Sequence, residues 1–145
     1  MAHNRRAVLA ALKTVLGEIT EIKTVVRVYL TAEFDITQYA QVDLPLIVIP
    51  EPKEDTDTEG TSQMSMMALE TRLMIFFLDW AIDPDDIKYE ALVKKIRDKI
   101  GAKFTLNGTA EECRVDSVSV ISGILPVYDF FMDLEMKYYL NEMNT

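Results

Sequence analysis

Cysteine and histidine are almost missing from this chain: one of each, Cys113 and His3, in 145 residues. A single cysteine excludes an intrachain disulfide and any multi-cysteine zinc cluster. It reads as a small buried or half-buried apolar residue in a reducing compartment. His3 stands by the N-terminus with no His or Cys at ligand spacing, a poor place to hold a metal or a general base. The five glycines are scattered at element ends, so no phosphate-cradling loop is present, and neither is a G-x-S-x-G elbow, an H-E-x-x-H or a C-x-x-C. No apolar run approaches the ~20 residues of a membrane helix. Arg5 and Arg6 precede an apolar stretch in the manner of a signal peptide, but Lys13 interrupts it, and the apolar residues recur at helical spacing.

Basic residues are outnumbered, 15 Lys and Arg against 24 Asp and Glu, for a net charge of −9. Binders that read or slide on nucleic acid need a basic face to displace counterions from phosphate, which this balance argues against. Carboxylates this numerous always allow pairs, and nothing in their placement singles one out for acid–base work. The chain reads as non-enzymatic, with no metal and no cofactor.

What is present is a core. Apolar residues make up 49% of a length suited to one domain. The chain is organised around Ala68–Ile82, ALETRLMIFFLDWAI. Its first half alternates, Leu69, Thr71 and Leu73 against Ala68, Glu70 and Arg72. It then runs LMIFFL, apolar on both faces, as a strand covered above and below does. Before it, Arg5–Leu16 carries one apolar stripe (Val8, Leu9, Leu12, Val15, Leu16, with Ile19 beyond) and reads as a helix ending at Gly17. Arg5 and Arg6 oppose that helix's dipole and read as solvated unless a neighbour supplies acidic groups. Thr24–Leu30 and Leu44–Ile49 read as strands, with Pro45 tolerated at an entrance and Pro50 closing the second. Phe34, Ile36 and Tyr39 are anchors in the irregular stretch between them.

Glu51–Met67 breaks the pattern. Five carboxylates (Glu51, Glu54, Asp55, Asp57, Glu59) face one Lys53, a net of −4. No apolar period appears until Met64 and Met66. The stretch reads as a long, mobile, acidic hairpin loop, and it lacks the terminal bidentate glutamate of a calcium loop. Asp83–Ile100 is the best-marked helix: Asp83 caps it, Pro84 opens it, and Asp85 and Asp86 sit where the dipole favours anions. Ile87, Ala91, Leu92, Ile96 and Ile100 are its expected buried stripe, and Gly101 its end. A short strand, Lys103–Leu106, enters an Asn107-Gly108 turn. Glu112–Ile121 alternates, Cys113, Val115, Ser117, Ser119 and Ile121 against Arg114, Asp116, Val118 and Val120. Gly123–Pro126 is a turn. In Val127–Leu140, Phe130, Met132, Leu134, Met136 and Tyr138 share one face. The expected fold is α+β: a mainly antiparallel sheet of about four main strands under two amphipathic helices, in the order α-β-β-β-α-β-β.

That layout resembles the tail terminator proteins of long-tailed phages, the family of lambda's minor tail protein U. The resemblance spans nearly the whole chain: the helix RRAVLAALKTVLGEI, a strand, VDLPLIVIPEP feeding a long hairpin, ETRLMIFFLDW, YEALVKKIRDKIG, FTLNGTAEE, and GILPVYDFFMDLEMKYYL closing on Tyr138 and Tyr139. It implies a homo-oligomeric ring, hexameric, that caps the tail tube, stops its polymerisation and presents a surface to the head connector. The implied partners are the tail tube protein and the head completion protein. The implied location is the tail–neck junction of the virion, after assembly in the host cytoplasm. DNA would pass through the ring unbound, as an acidic surface allows. Glu51, Glu54, Asp55, Asp57, Glu59, Met64, Met66, Arg5 and Arg6 are the candidate assembly residues. Another head–tail joining protein and a small dimeric α+β ligand-binding domain are the alternatives.

Overall fold

The structure, a computed structural model, describes residues 5–28, 34–57, 64–80 and 87–141, without the side chains of 55–57, 64, 65, 140 and 141. The described residues form an α+β fold with two helices and one seven-stranded mixed sheet. Helix α1 is Arg5–Gly17 and α2 is Ile87–Ala102. The strands are β1 Thr24–Val28, β2 Leu46–Pro50, β3 Lys53–Asp57, β4 Met64–Leu78, β5 Glu112–Val118, β6 Ser122–Ile124 and β7 Val127–Asn141.

The spine is an unbroken antiparallel ladder of β4 on β7, running from Met64↔Asn141 to Leu78↔Val127. Shorter strands line both sides of it. On the outer side of β4, β2 covers Met74–Phe76 and β3 covers Met66–Glu70, so two strands end to end share one edge. On the outer side of β7, β5 and β6 do the same. Strand β1 lies parallel to β2 and ends the sheet on that side, and β5 ends it on the other. The count of about four main strands thus becomes seven, because short flanking strands divide the edges of two long ones.

Period-two burial divides the sheet as the pattern predicts. From β4, Leu69, Leu73, Ile75 and Phe77 face the helices with Phe130, Met132, Leu134, Met136 and Tyr138 of β7. The α1 stripe Val8, Leu9, Leu12, Val15 and Leu16 is wholly buried on them. Among the described residues, the opposite face is covered at one end only. There, two 3-10 turns, Ile36–Gln38 and Gln41–Asp43, lay Phe34, Ile36 and Tyr39 over Leu46, Val48 and Phe76. Phe34 stacks on Tyr39 at 5.7 Å and meets Phe76 at 5.5 Å. This explains the doubly apolar LMIFFL run: only the part of β4 beneath that cover needs it. Farther along, the same face is wet and charged. Arg72 donates to Asp133 at 2.8 Å and Ser117 to the same carboxylate at 2.8 Å, holding Asp133 below its usual pKa, with the Arg72 hydrogen bond the chief cause.

Several expectations are corrected. The strand placed at Ala68–Ile82 starts earlier, at Met64, and ends at Leu78. The loop placed at 51–67 is a hairpin with strand arms, β3 and the start of β4. Residues 58–63 lie outside the described residues, as do Asp83–Asp86 at the expected helix cap. The buried face of α2 is Leu92, Ile96 and Ile100 with Tyr89 and Val93 beside them. Ile87 is 67% exposed, and Ala91 is exposed. Gly101 does not end α2, which continues to Ala102. Lys103–Leu106 is turn rather than strand, and its left-handed residues run from Leu106 through Asn107 to Gly108. In β5 a bulge at Asp116, between Val115↔Leu134 and Ser117↔Asp133, shifts the alternation by one. Ser117 therefore turns out to Asp133 while Val118 packs on the core, the reverse of the expected faces.

Cys113 lies in the helix-side core, 3% exposed, and burial pushes its thiol up to about 12. The thiolate is the reactive form. We therefore expect no native-state labelling by a thiol reagent at pH 8 on the timescale on which the urea-unfolded chain labels fully. Equal rates would place the thiol at the surface.

Candidate assembly surface

Where β2 gives way to β3, the chain turns through Glu51 and a buried Pro52. Glu51 is the centre of a charge cluster drawn from three elements. Arg5, in the first turn of α1, forms an ion pair with its carboxylate. Arg27 of β1 approaches the same group at 3.4 Å and donates at 3.1 Å to the carbonyl of Pro50. The expectation that Arg5 is a solvated arginine is thus corrected: Glu51, from the same chain, supplies the carboxylate that helix position lacks. Parallel pairing of β1 with β2 explains Arg27, because Val28↔Pro50 brings its side chain to the strand's end beside Glu51.

These residues open onto a groove of about 490 Å³ walled by α1 and β1, lined by Arg5, Arg6, Lys13 and Arg27 with Glu51 as its acidic member. A second concavity of about 520 Å³ shares Ala10 and Lys13 with the first and runs on past Lys23 and Thr24. The two concavities are neighbours beside β1, the last strand on this side of the sheet. Together they are basic in a chain of net charge −9.

The remaining candidate residues are dispersed. Glu54 accepts a 2.6 Å hydrogen bond from the Tyr138 hydroxyl, whose pKa is raised, by burial first and by Glu54 second. Asp55 and Asp57 lie in β3, and Met64 begins β4; their side chains, and Glu59 entirely, fall outside the described residues. Met66 is 7% exposed. Arg6 is exposed on the groove wall.

A further surface was not expected from the pattern. Trp80, just past β4, is 63% exposed, and Ile124 in β6 is 83% exposed, with Ile87, Val120 and Leu125 also exposed. They gather at one end of the spine. The Asp79 backbone N–H donates to the carbonyl of Pro126, Ile124 pairs with Val127, and the Tyr89 hydroxyl donates to the carbonyl of Ser119 at 2.6 Å. The signal lay in the apolar tip GILP, read as turn alone.

Among the described residues, no three His, Cys, Asp or Glu gather as metal ligands, and no helix is long and apolar enough to cross a membrane. Neither a protein-family model nor a curated protein sequence matches this chain.

Proposed function

We propose that this chain is a phage tail terminator, a non-enzymatic structural subunit that forms a hexameric ring on the tail tube, ends tube polymerisation and offers the head connector a surface. The observation that carries the reading is the layout of the sequence, from the helix RRAVLAALKTVLGEI to the closing strand GILPVYDFFMDLEMKYYL. Two features of the fold support it. A head-to-tail ring needs two different surfaces that are complementary to each other, and the basic α1–β1 groove and the acidic β3 hairpin are of opposite sign. Exposed Trp80, Val120, Ile124 and Leu125 lie toward the same end of the β4–β7 ladder, where they offer apolar surface to a partner. In this reading DNA passes the ring unbound, and the protein resides at the tail–neck junction.

The competing reading is a dimeric ligand-binding domain with a pocket between sheet and helices. The α1–β1 groove, open and walled by charged side chains, does not suit it.

Native mass spectrometry over a wide concentration range, followed by addition to polymerising tube protein, tests the proposal. A closed oligomer near six copies that shortens and caps tubes is the expected result. A persistent dimer, or tubes of unchanged length, would sink it.

A further inference from the structure

We infer that the groove between α1 and the outer edge of β1 takes up the acidic strand β3 of a second copy of this chain. Three observations converge on that occupant. First, the groove already recognises a carboxylate, because Arg5 and Arg27 hold Glu51 within it. Second, it has cationic capacity to spare: Arg6, Lys13 and Lys23 are exposed along it, and no carboxylate among the described residues pairs with them. Third, its floor is an open strand. Among the described residues β1 is paired on one side only, so an extended segment can add to its free edge.

The chain itself supplies the complement. Strand β3, Lys53–Asp57, places Asp55 and Asp57 two residues apart in an extended segment, while Glu54 before them is held by the Tyr138 hydroxyl. Among the described strands β3 pairs with β4 alone. Strand addition would supply backbone hydrogen bonds, and the carboxylates would set partner and register against the cations of α1. A nucleic-acid phosphate backbone is the poorer occupant. Glu51 stands inside the groove, and the net charge of −9 repels a polyanion at a distance.

The contact repeats from copy to copy or closes about a twofold axis, and it stands on its own whether or not a ring forms. The number of copies therefore tests the ring, and charge reversal tests the groove. Two variants are compared by sedimentation equilibrium with the wild type and with each other in an equimolar mixture: Arg6→Glu with Lys13→Glu, and Asp55→Lys with Asp57→Lys. Arg6 and Lys13 have no carboxylate partner among the described residues, and matching thermal melts check that the fold is kept. Each variant alone is expected to self-associate about tenfold more weakly or worse, and the mixture to recover association near the wild-type strength. Recovery is the part that a general charge effect does not produce.

Three results would overturn the inference. One is an Arg6→Glu, Lys13→Glu variant that associates within about twofold of the wild type; if that variant also loses retention of a DNA duplex in a mobility-shift assay, the groove belongs to phosphate. Another is a wild type that stays monomeric at millimolar concentration. The third is a mixture no tighter than its components. A wild type that associates through the groove yet leaves tube length unchanged would uphold the groove and discard the terminator reading.

Discussion

Phe130→Ala is expected to lower the unfolding free energy by about 3–5 kcal/mol. Phe130 is fully buried at the middle of the helix-side core and stands opposite Ile75 in the central ladder. Its ring meets Phe77 edge-on at 6.1 Å and Tyr89 of α2 at 5.0 Å, so it joins sheet to helix. Truncation removes the transfer energy of a phenyl ring and leaves a space walled by paired strands, which cannot move in to fill it. Domains of this size have roughly 5–15 kcal/mol in all. The variant therefore keeps only a fraction of its stability. Urea unfolding checks this: the midpoint falls and the slope holds, since the surface exposed on unfolding is unchanged. A loss below about 1.5 kcal/mol would mean that Tyr89 and its helix close over the gap.

The second large effect falls on the backbone. Gly123 sits in β6 with φ +111°, where an added Cβ would stand 2.6 Å from the Val127 carbonyl oxygen and 2.9 Å from the Tyr128 Cα. Both obstacles are main chain held in a ladder, so neither can yield as a side-chain tip would. Gly123→Ala is expected to cost about 3 kcal/mol. The damage should be local: amide exchange should accelerate in β6 and the first residues of β7 well before the centre of β4 responds. Unchanged protection at Ile124 and Tyr128 would show that the hairpin re-forms with another turn.

Local patterning made the long elements legible. Val8, Leu9, Leu12, Val15 and Leu16 place α1 by period alone, and the alternation of Phe130 to Tyr138 gives β7 its buried face. Failures occur where a non-local fact decides. A bulge at Asp116 reverses the faces of β5 after Val115, and no local composition marks it, because the extra residue is defined only against Leu134 and Asp133 of the partner strand. The β3 arm was hidden by its charge. Lys53–Asp57 has poor strand propensity and is a strand because β4 offers an unpaired edge beyond the end of β2. Arg5 read as solvated since its partner, Glu51, is distant in sequence and arrives only through the parallel pairing of β1 with β2. The same reason hid Arg27 and Lys13 as members of a shared groove. Trp80 was assigned to a strand that stops two residues short of it.

The long central ladder also has a mechanical meaning. Fifteen antiparallel pairs at about 3.3 Å per residue make a twisted beam of roughly 50 Å. The ladder contains neither bulge nor proline that would act as a joint. The acidic hairpin arm lies toward one end of this beam and the apolar cluster around Trp80 at the other. Load applied to one tip is carried to the other as displacement of a stiff body rather than absorbed by bending. A body of this kind behaves as a strut, holding its two ends at a fixed separation.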